Sequence, residues 1–475
     1  MKQRKLLSVL LLVCVLLSLS CAPVFAAAAD AAAGEAAAAA VQQPLHINAK
    51  AAMLVDLNTG RVVYEQNADE RIYPASLTKI MTCLLALENG NLSSIVTVSE
   101  AALSNLDPNS STAGLQVGEQ MTLENMLYCM MIPSGNEACN AVAEHIAGSV
   151  ADFVRMMNER AYELGCEGTH FNNPHGLHEE DHYTTVRDLV KITQAALKSE
   201  NFKQIVNTAE YELPATNLSE PRMLRTTNQL IYKNSNNPFY YPRAIGIKTG
   251  YTSAAGRCVI SCAKDDGMYF LAVVCGADTS IQENGDLLMQ SFPECIRLFD
   301  YGFDQFSYVT AVSPLYPIAQ VAVSHSAGSE AVAVAPAKDI KVLLPNGYDE
   351  ALLVQDIALT AQTVEAPVRA GDVLGTVSIS YNGEVLGTTE LLAIADVARS
   401  EISAAADNTG TYIQRNWWKW VVIVIILVVA AFFVLLIALQ MRRRRQRLKR
   451  LEQRRRALEA RERRRQFGGF DVDEV

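Results

Sequence analysis

The chain has 475 residues, half of them hydrophobic, which is enough for two or three domains with apolar cores. Its formal charge is −10, but the residues after Met441 carry about eight net positive charges and the first few about three, so the stretch between is strongly acidic, about −21. Such a surface argues against nucleic acid or anionic lipid as the partner of the main body.

Met1-Lys2-Gln3-Arg4-Lys5 is a basic start to an apolar run, Leu6 to Leu19. Val24-Phe25-Ala26 then has the spacing for signal-peptidase cleavage after Ala26, so residues 1–26 read as a signal peptide. Cys21 offers a lipoprotein alternative, although Ser18 and Leu19 fit a lipobox poorly. Residues 27–44 are an alanine-rich linker.

Ala52–Leu57 and Arg61–Glu65 read as strands joined by an Asn58-Thr59-Gly60 turn. Leu77, Ile80, Met81, Leu84 and Leu85 then recur at helical spacing, placing Ser76 in the first turn of a buried helix. Lys79 shares a face with Ser76, and a helix start offers free N–H groups and a positive dipole end. A hydroxyl, an amine and anion-stabilising donors suit acyl transfer. An N-cap serine with a surface lysine is the plainer reading of the same residues. A second Ser-x-x-Lys, Ser261-Cys262-Ala263-Lys264, lies in a strand-like run where its ends point to opposite faces, which makes it a decoy.

Further on, Thr122 caps a helix over 123–131, which Pro133 stops. Helices follow over 137–146, 150–164 and 185–197, with a polar turn-rich loop, Phe171 to Leu177, between the last two. Three strands, Ala244–Thr249, Arg257–Ala263 and Met268–Cys275, and a helix over about 294–302 close this region. Strands at both ends with helices between predict one antiparallel sheet with an inserted helical region over residues 45–305. Residues 306–400 read as a small β-sandwich-like domain, and 401–416 as a polar linker. Residues 417–440 form a membrane-spanning helix: Val421–Leu439 is an unbroken apolar run flanked by Trp417, Trp418 and Trp420. Arg442-Arg443-Arg444-Arg445 open a basic tail, 441–475, on the cytoplasmic side, leaving the bulk of the chain outside. Eight cysteines remain after the signal, mostly in apolar runs, with no metal-ligand spacing. No cofactor or metal is expected.

Two more short motifs carry chemistry. Ser134-Gly135-Asn136 falls in a break between helices and supplies a hydroxyl and an amide, or caps the helix. Lys248-Thr249-Gly250 ends a strand and suits an anionic ligand lying along the strand edge, or is a strand-end turn. With Ser76-Leu77-Thr78-Lys79 they form an ordered set, Ser-x-x-Lys, Ser-x-Asn and Lys-Thr-Gly. The chain resembles the low-molecular-weight penicillin-binding proteins, specifically serine-type D-alanyl-D-alanine carboxypeptidases. Asn173-Pro174-His175-Gly176-Leu177, His182-Tyr183-Thr184-Thr185, Lys248 through Thr252 and Asp300-Tyr301-Gly302-Phe303 extend the likeness. So does Ala370-Gly371-Asp372-Val373-Leu374-Gly375 in the β domain.

The resemblance implies an α+β fold: a penicillin-binding-protein/β-lactamase-like domain, a small all-β domain and a transmembrane helix. It implies a hydrolase that trims peptidoglycan stem peptides ending in D-Ala-D-Ala and is acylated by β-lactams. Ser76 would be the nucleophile and Lys79 its base, kept neutral by burial and by the Lys248 cation. Ser134 would relay a proton, and Asn136 would orient Lys79 and the substrate. Lys248, Thr249, Gly250 and Tyr251 would bind substrate, with the N–H groups of Ser76 and Tyr251 as oxyanion hole. The family often has an arginine where this chain has Ser291, so either that carboxylate contact is missing or Arg257 substitutes for it. A β-lactamase and an inactive wall-binding scaffold are the alternatives. No Glu-x-x-Leu-Asn supports the first, and the intact motif set argues against the second.

Overall fold

The computed structural model describes residues 45–104, 106–107, 109–281 and 287–466. The signal peptide, the alanine-rich linker and the end of the basic tail lie outside the described residues. The chain divides into two compact units. The first holds the residues up to Val309 together with Leu343–Tyr348; the second holds Thr310–Val342 and the chain from Asp349 onward.

The first unit begins with β1 (Ala51–Asp56) and β2 (Val62–Gln66), a hairpin closed by Gly60 at positive φ. A short 3₁₀ turn, Ala75–Thr78, leads into α1 (Lys79–Asn89). The helical region continues with β3 (Ile95–Thr97), α2 (Glu100–Leu103) and β4 (Gln120–Thr122), and then α3 (Leu123–Met131), α4 (Asn136–Ala147) and α5 (Val150–Glu163). After α6 (Val186–Ala196) and α7 (Glu200–Val206) comes the hairpin of β5 (Glu210–Leu213) and β6 (Arg222–Arg225). The last strands of the main sheet are β7 (Ala244–Thr252), β8 (Gly256–Asp265) and β9 (Met268–Ala277), and α8 (Ser291–Gln305) follows.

The sheet order is β2-β1-β9-β8-β7, antiparallel throughout. Both ends of the region thus build one sheet, as the element order predicts. Alternation along the strands gives it two apolar faces. Met53, Val55, Ile260, Cys262 and Val273 face the helical region, whereas Leu54, Val259, Phe270 and Val274 face Cys295, Leu298 and Phe299 of α8. β7 is an edge strand, so its outer backbone is open to the helical region.

Local sequence accounts for the helix ends. Thr122 Oγ1 caps α3 through Asn125 N, and Thr185 Oγ1 caps α6 through Asp188 N. Two expectations need correcting. Ser76 sits in the 3₁₀ turn that precedes α1 rather than in the α-helix. The polar stretch between α6 and β7 contains α7 and the β5–β6 hairpin, which the sequence reading passed over because their apolar patterns are short. The Ser261 motif lies within β8: Ser261 is buried with Oγ donating to Gly246 O, while Lys264 sits over the Tyr269 ring, 5.3 Å from its centroid.

The second unit carries a six-stranded sheet made from the strands starting at 319, 331, 353, 363, 373 and 384. All but one of its pairings are antiparallel. Glu401–Gln466 is one 66-residue helix with a local break at Asn416, so the stretch read as a linker is itself helical. The helix is long and apolar enough to cross a membrane. All eight cysteines in the described residues are buried free thiols.

Replacing Thr185 by Ala removes the α6 cap and is expected to destabilise the first unit by about 1 kcal/mol. A denaturant titration following that unit checks this, and an unchanged midpoint would show that the cap contributes nothing.

Candidate active site

Tyr73 to Thr78 brings the nucleophile candidate against β7. Ala75 holds φ +48, a conformation L residues avoid, and the turn after it presents Ser76 to the cleft. Two glycines make room for that turn. A Cβ on Gly176, itself at φ +89, would lie 1.8 Å from Ala75 O. A Cβ on Gly250 of β7 would lie 3.1 Å from Ser76 N. The Lys-Thr-Gly strand and the loop after Pro174 therefore approach the Ser76 backbone as closely as chains can.

Lys79, one turn on, is fully buried. Its Nζ lies 2.9 Å from Ser76 Oγ, 2.7 Å from Asn136 Oδ1 and 2.8 Å from the His175 carbonyl. Three separate elements thus converge on one amine. Ser134, at φ +69 and buried, precedes α4, and Asn136 opens that helix. The 171–177 loop is held on α1 by Thr82 Oγ1 donating to Pro174 O (2.6 Å). Asn173 ties the same loop to itself by accepting from Gly176 N and donating to Leu177 O.

On β7, Lys248 is 1 % exposed and its Nζ donates to Thr249 O (3.0 Å). Thr249 Oγ1 is 2.6 Å from Thr227 Oγ1. Tyr251 is half exposed at the cleft edge and pairs across the strands with Arg257, whose guanidinium carbon stands 4.0 Å over its ring. Arg257 Nε donates to Thr279 Oγ1 (3.3 Å). Ser291 is buried at the start of α8 and brings no charge.

These pieces enclose one cavity of about 530 Å³. Ser76, Ser134, Asn136, Thr249, Gly250 and Tyr251 line it, together with Arg257 and Ser291. Lys79 and Lys248 lie behind that wall. All eight site residues singled out from sequence therefore belong to one region of the first unit. Sequence reasoning missed Thr227, whose hydroxyl meets Thr249, and Glu137. Buried Glu137 accepts from Thr112 Oγ1 and Ala113 N, both at 2.6 Å, and so holds the loop that forms the cavity's far rim. A carboxylate directly after Asn136 was the only signal for it.

The electrostatics follow from burial. Desolvation holds the Lys79 amine below the ordinary lysine range. It holds Lys248 well below that range, and the Lys79 charge adds to the push. The mutual repulsion foreseen for Lys79 is thus expressed at Lys248. Burial, with Lys79 adding to it, lowers His175 to about 3, so that imidazole is neutral. Among the described residues no cluster could hold a metal ion.

Residues 37–279 match the family described as D-alanyl-D-alanine carboxypeptidase, and residues 317–399 match the C-terminal domain of penicillin-binding protein 5. The Bacillus subtilis (strain 168) D-alanyl-D-alanine carboxypeptidase DacF is 35 % identical over 361 residues, covering 74 % of this chain and 86 % of that protein. The Escherichia coli (strain K12) carboxypeptidase DacC is 30 % identical over 359 residues, covering 74 % and 84 %. The crystal structure of penicillin binding protein 5 from Haemophilus influenzae superposes with a TM-score of 0.58 at 27 % identity, covering 75 % of this chain and 99 % of that one.

The two buried lysines destabilise the fold below the ordinary lysine range, because the unfolded chain binds protons that the folded one gives up. A Lys248→Met variant is therefore expected to melt at or above the wild type at pH 7. The difference should shrink as pH rises towards the ordinary lysine range, where the unfolded lysine is neutral as well. Paired thermal melts across that window check the sign, and a gap that widens with pH would contradict it.

Proposed function

The chain belongs to the D-alanyl-D-alanine carboxypeptidase family, and on that premise we propose that it is a serine-type hydrolase acting through an acyl-enzyme on Ser76. Its substrate is a peptidoglycan stem peptide ending in D-Ala-D-Ala, and β-lactams acylate the same serine. The observation that carries this reading is the hydrogen-bond pattern of Lys79. A neutral amine has two protons and one lone pair. Asn136 Oδ1 and His175 O take the two protons. The lone pair is left facing Ser76 Oγ at 2.9 Å, where it can accept the hydroxyl proton.

Ser76 Oγ then attacks the carbonyl between the two D-alanines. The Ser76 and Tyr251 N–H groups receive the oxyanion. The proton taken by Lys79 passes through Ser134 to the leaving amine, and D-alanine departs. Water attacks the ester, its proton returning by the same groups, and the shortened peptide leaves. Asn136 Nδ2 remains to hold the substrate amide.

The leaving residue carries a carboxylate. Lys248 and Thr249 bind it on the β7 edge. In the empty site burial drives Lys248 towards neutrality. A bound carboxylate reverses that balance and restores the Lys248 cation, so charge appears there when substrate does. Arg257 takes the part of the arginine that Ser291 replaces, since its guanidinium lines the cavity on the Tyr251 side.

The apolar helix anchors the enzyme in the cell membrane with its catalytic unit outside. The Trp417, Trp418 and Trp420 belt then lies at the outer interface and Arg442–Arg445 at the cytoplasmic one.

The detergent-solubilised full chain is expected to release D-alanine from a stem pentapeptide and to take up labelled penicillin covalently. Ser76→Ala should lose both, by roughly a thousandfold or more in rate. Release that persists in the variant would move the nucleophile elsewhere, and rapid turnover of penicillin would favour a β-lactamase. Arg257→Ala should raise KM for the pentapeptide about tenfold. The two proteins should not differ on a peptide whose terminal carboxylate is amidated. An unchanged KM on the free acid would remove Arg257 from the carboxylate site.

A further inference from the structure

His182 and Thr78 are buried beside the site yet touch neither Ser76 nor the cavity in the mechanism above. They form a directional chain of hydrogen bonds. The Asn172 N–H donates to His182 Nδ1 (3.0 Å). A backbone amide can only donate, so Nδ1 is unprotonated and the ring proton sits on Nε2. His182 Nε2 lies 2.8 Å from Thr78 Oγ1, which therefore accepts. The single Thr78 hydroxyl proton is then free to go to the Ala75 carbonyl at 2.9 Å. The direction of every link is set by an amide at one end and a carbonyl at the other.

The carbonyl at the end of this chain belongs to the Ala75–Ser76 peptide. That unit is planar, so its C=O and N–H point in opposite directions. Holding Ala75 O aims Ser76 N–H. That N–H has no acceptor among the described residues, and the β7 backbone passes close by at Gly250. Ala75 at φ +48 would relax if its carbonyl were released. The imidazole itself is fixed, with Phe171 edge-on at 5.6 Å and the following Thr184 bridged to Ile72 through both backbone groups.

We propose that His182, acting through Thr78, is a positioning residue that aims the Ser76 N–H into the oxyanion hole. This rests on the reading of Ser76 as the nucleophile. The relay works only with neutral imidazole, because a second ring proton would break the Asn172 link. Burial keeps it neutral, lowering His182 to about 3, with His170 and His178 adding to the push and His175 also nearby.

Thr78→Val removes the hydroxyl and keeps the shape, whereas Thr78→Ser keeps the hydroxyl. In the detergent-solubilised full chain, Thr78→Val should slow covalent penicillin acylation of Ser76 about ten- to a hundredfold. Dissociation of the initial non-covalent complex should change less than about twofold, and Thr78→Ser should stay within about threefold of wild type. Acylation of Thr78→Val at the wild-type rate would overturn the relay alone. A wild-type chain that takes up no label would overturn the Ser76 reading and the relay with it. A measurement independent of variant folding uses ¹⁵N-histidine NMR of the wild type, with His182→Gln for assignment. An Nε2–H tautomer unchanged to about pH 5 is the expected result. An Nδ1–H tautomer, or titration in the ordinary histidine range, would overturn the proposal.

Discussion

One buried amine sets the terms for the rest of the first unit. Lys79 Nζ has three hydrogen-bond partners, and they come from three stretches of chain far apart in sequence. A lysine without water around it is costly unless it is neutral and hydrogen-bonded. The 3₁₀ turn, the start of α4 and the 171–177 loop must therefore arrive together. Each has its own device for doing so. Ala75 and Ser134 accept left-handed backbone, Gly176 lets the loop cross the Ala75 carbonyl, and Thr82 ties the same loop to α1.

The second buried lysine makes the site responsive to its ligand. Lys79 and Lys248 are both out of water, and burial disfavours charge on each of them. In the proposed mechanism Lys79 is the neutral base, and an anionic ligand arriving at the strand edge restores the Lys248 cation. Among the described residues no carboxylate lines the cavity at the Lys-Thr-Gly edge. Thr227, Arg257 and Tyr251 complete that edge with hydroxyl, guanidinium and ring.

The second unit contributes none of the eight site residues. Its sheet is built largely from antiparallel neighbours, and its long helix carries the apolar run that a membrane would cover. The helix continues through the arginine-rich stretch without a second break, so the basic residues extend from the span as one rod.

Much of the fold was legible in the sequence. Short apolar runs bounded by turns at both ends of the first unit and period-3.6 runs between them predicted one sheet with a helical insertion, and Thr122, Pro133 and Thr185 marked helix ends. Three short motifs in order pointed to the site, and strand context disposed of the Ser261 copy. Tertiary structure decided what spacing cannot encode. Whether Lys79 is a surface charge or a buried base depends on what covers it, and the cover comes from residues 57 and 96 positions away. The roles of Thr78, His182, Thr227 and Glu137 were hidden for the same reason. Their chemistry lies in hydrogen bonds to distant backbone and side chains, and a hydroxyl, imidazole or carboxylate looks the same in sequence with or without such a partner.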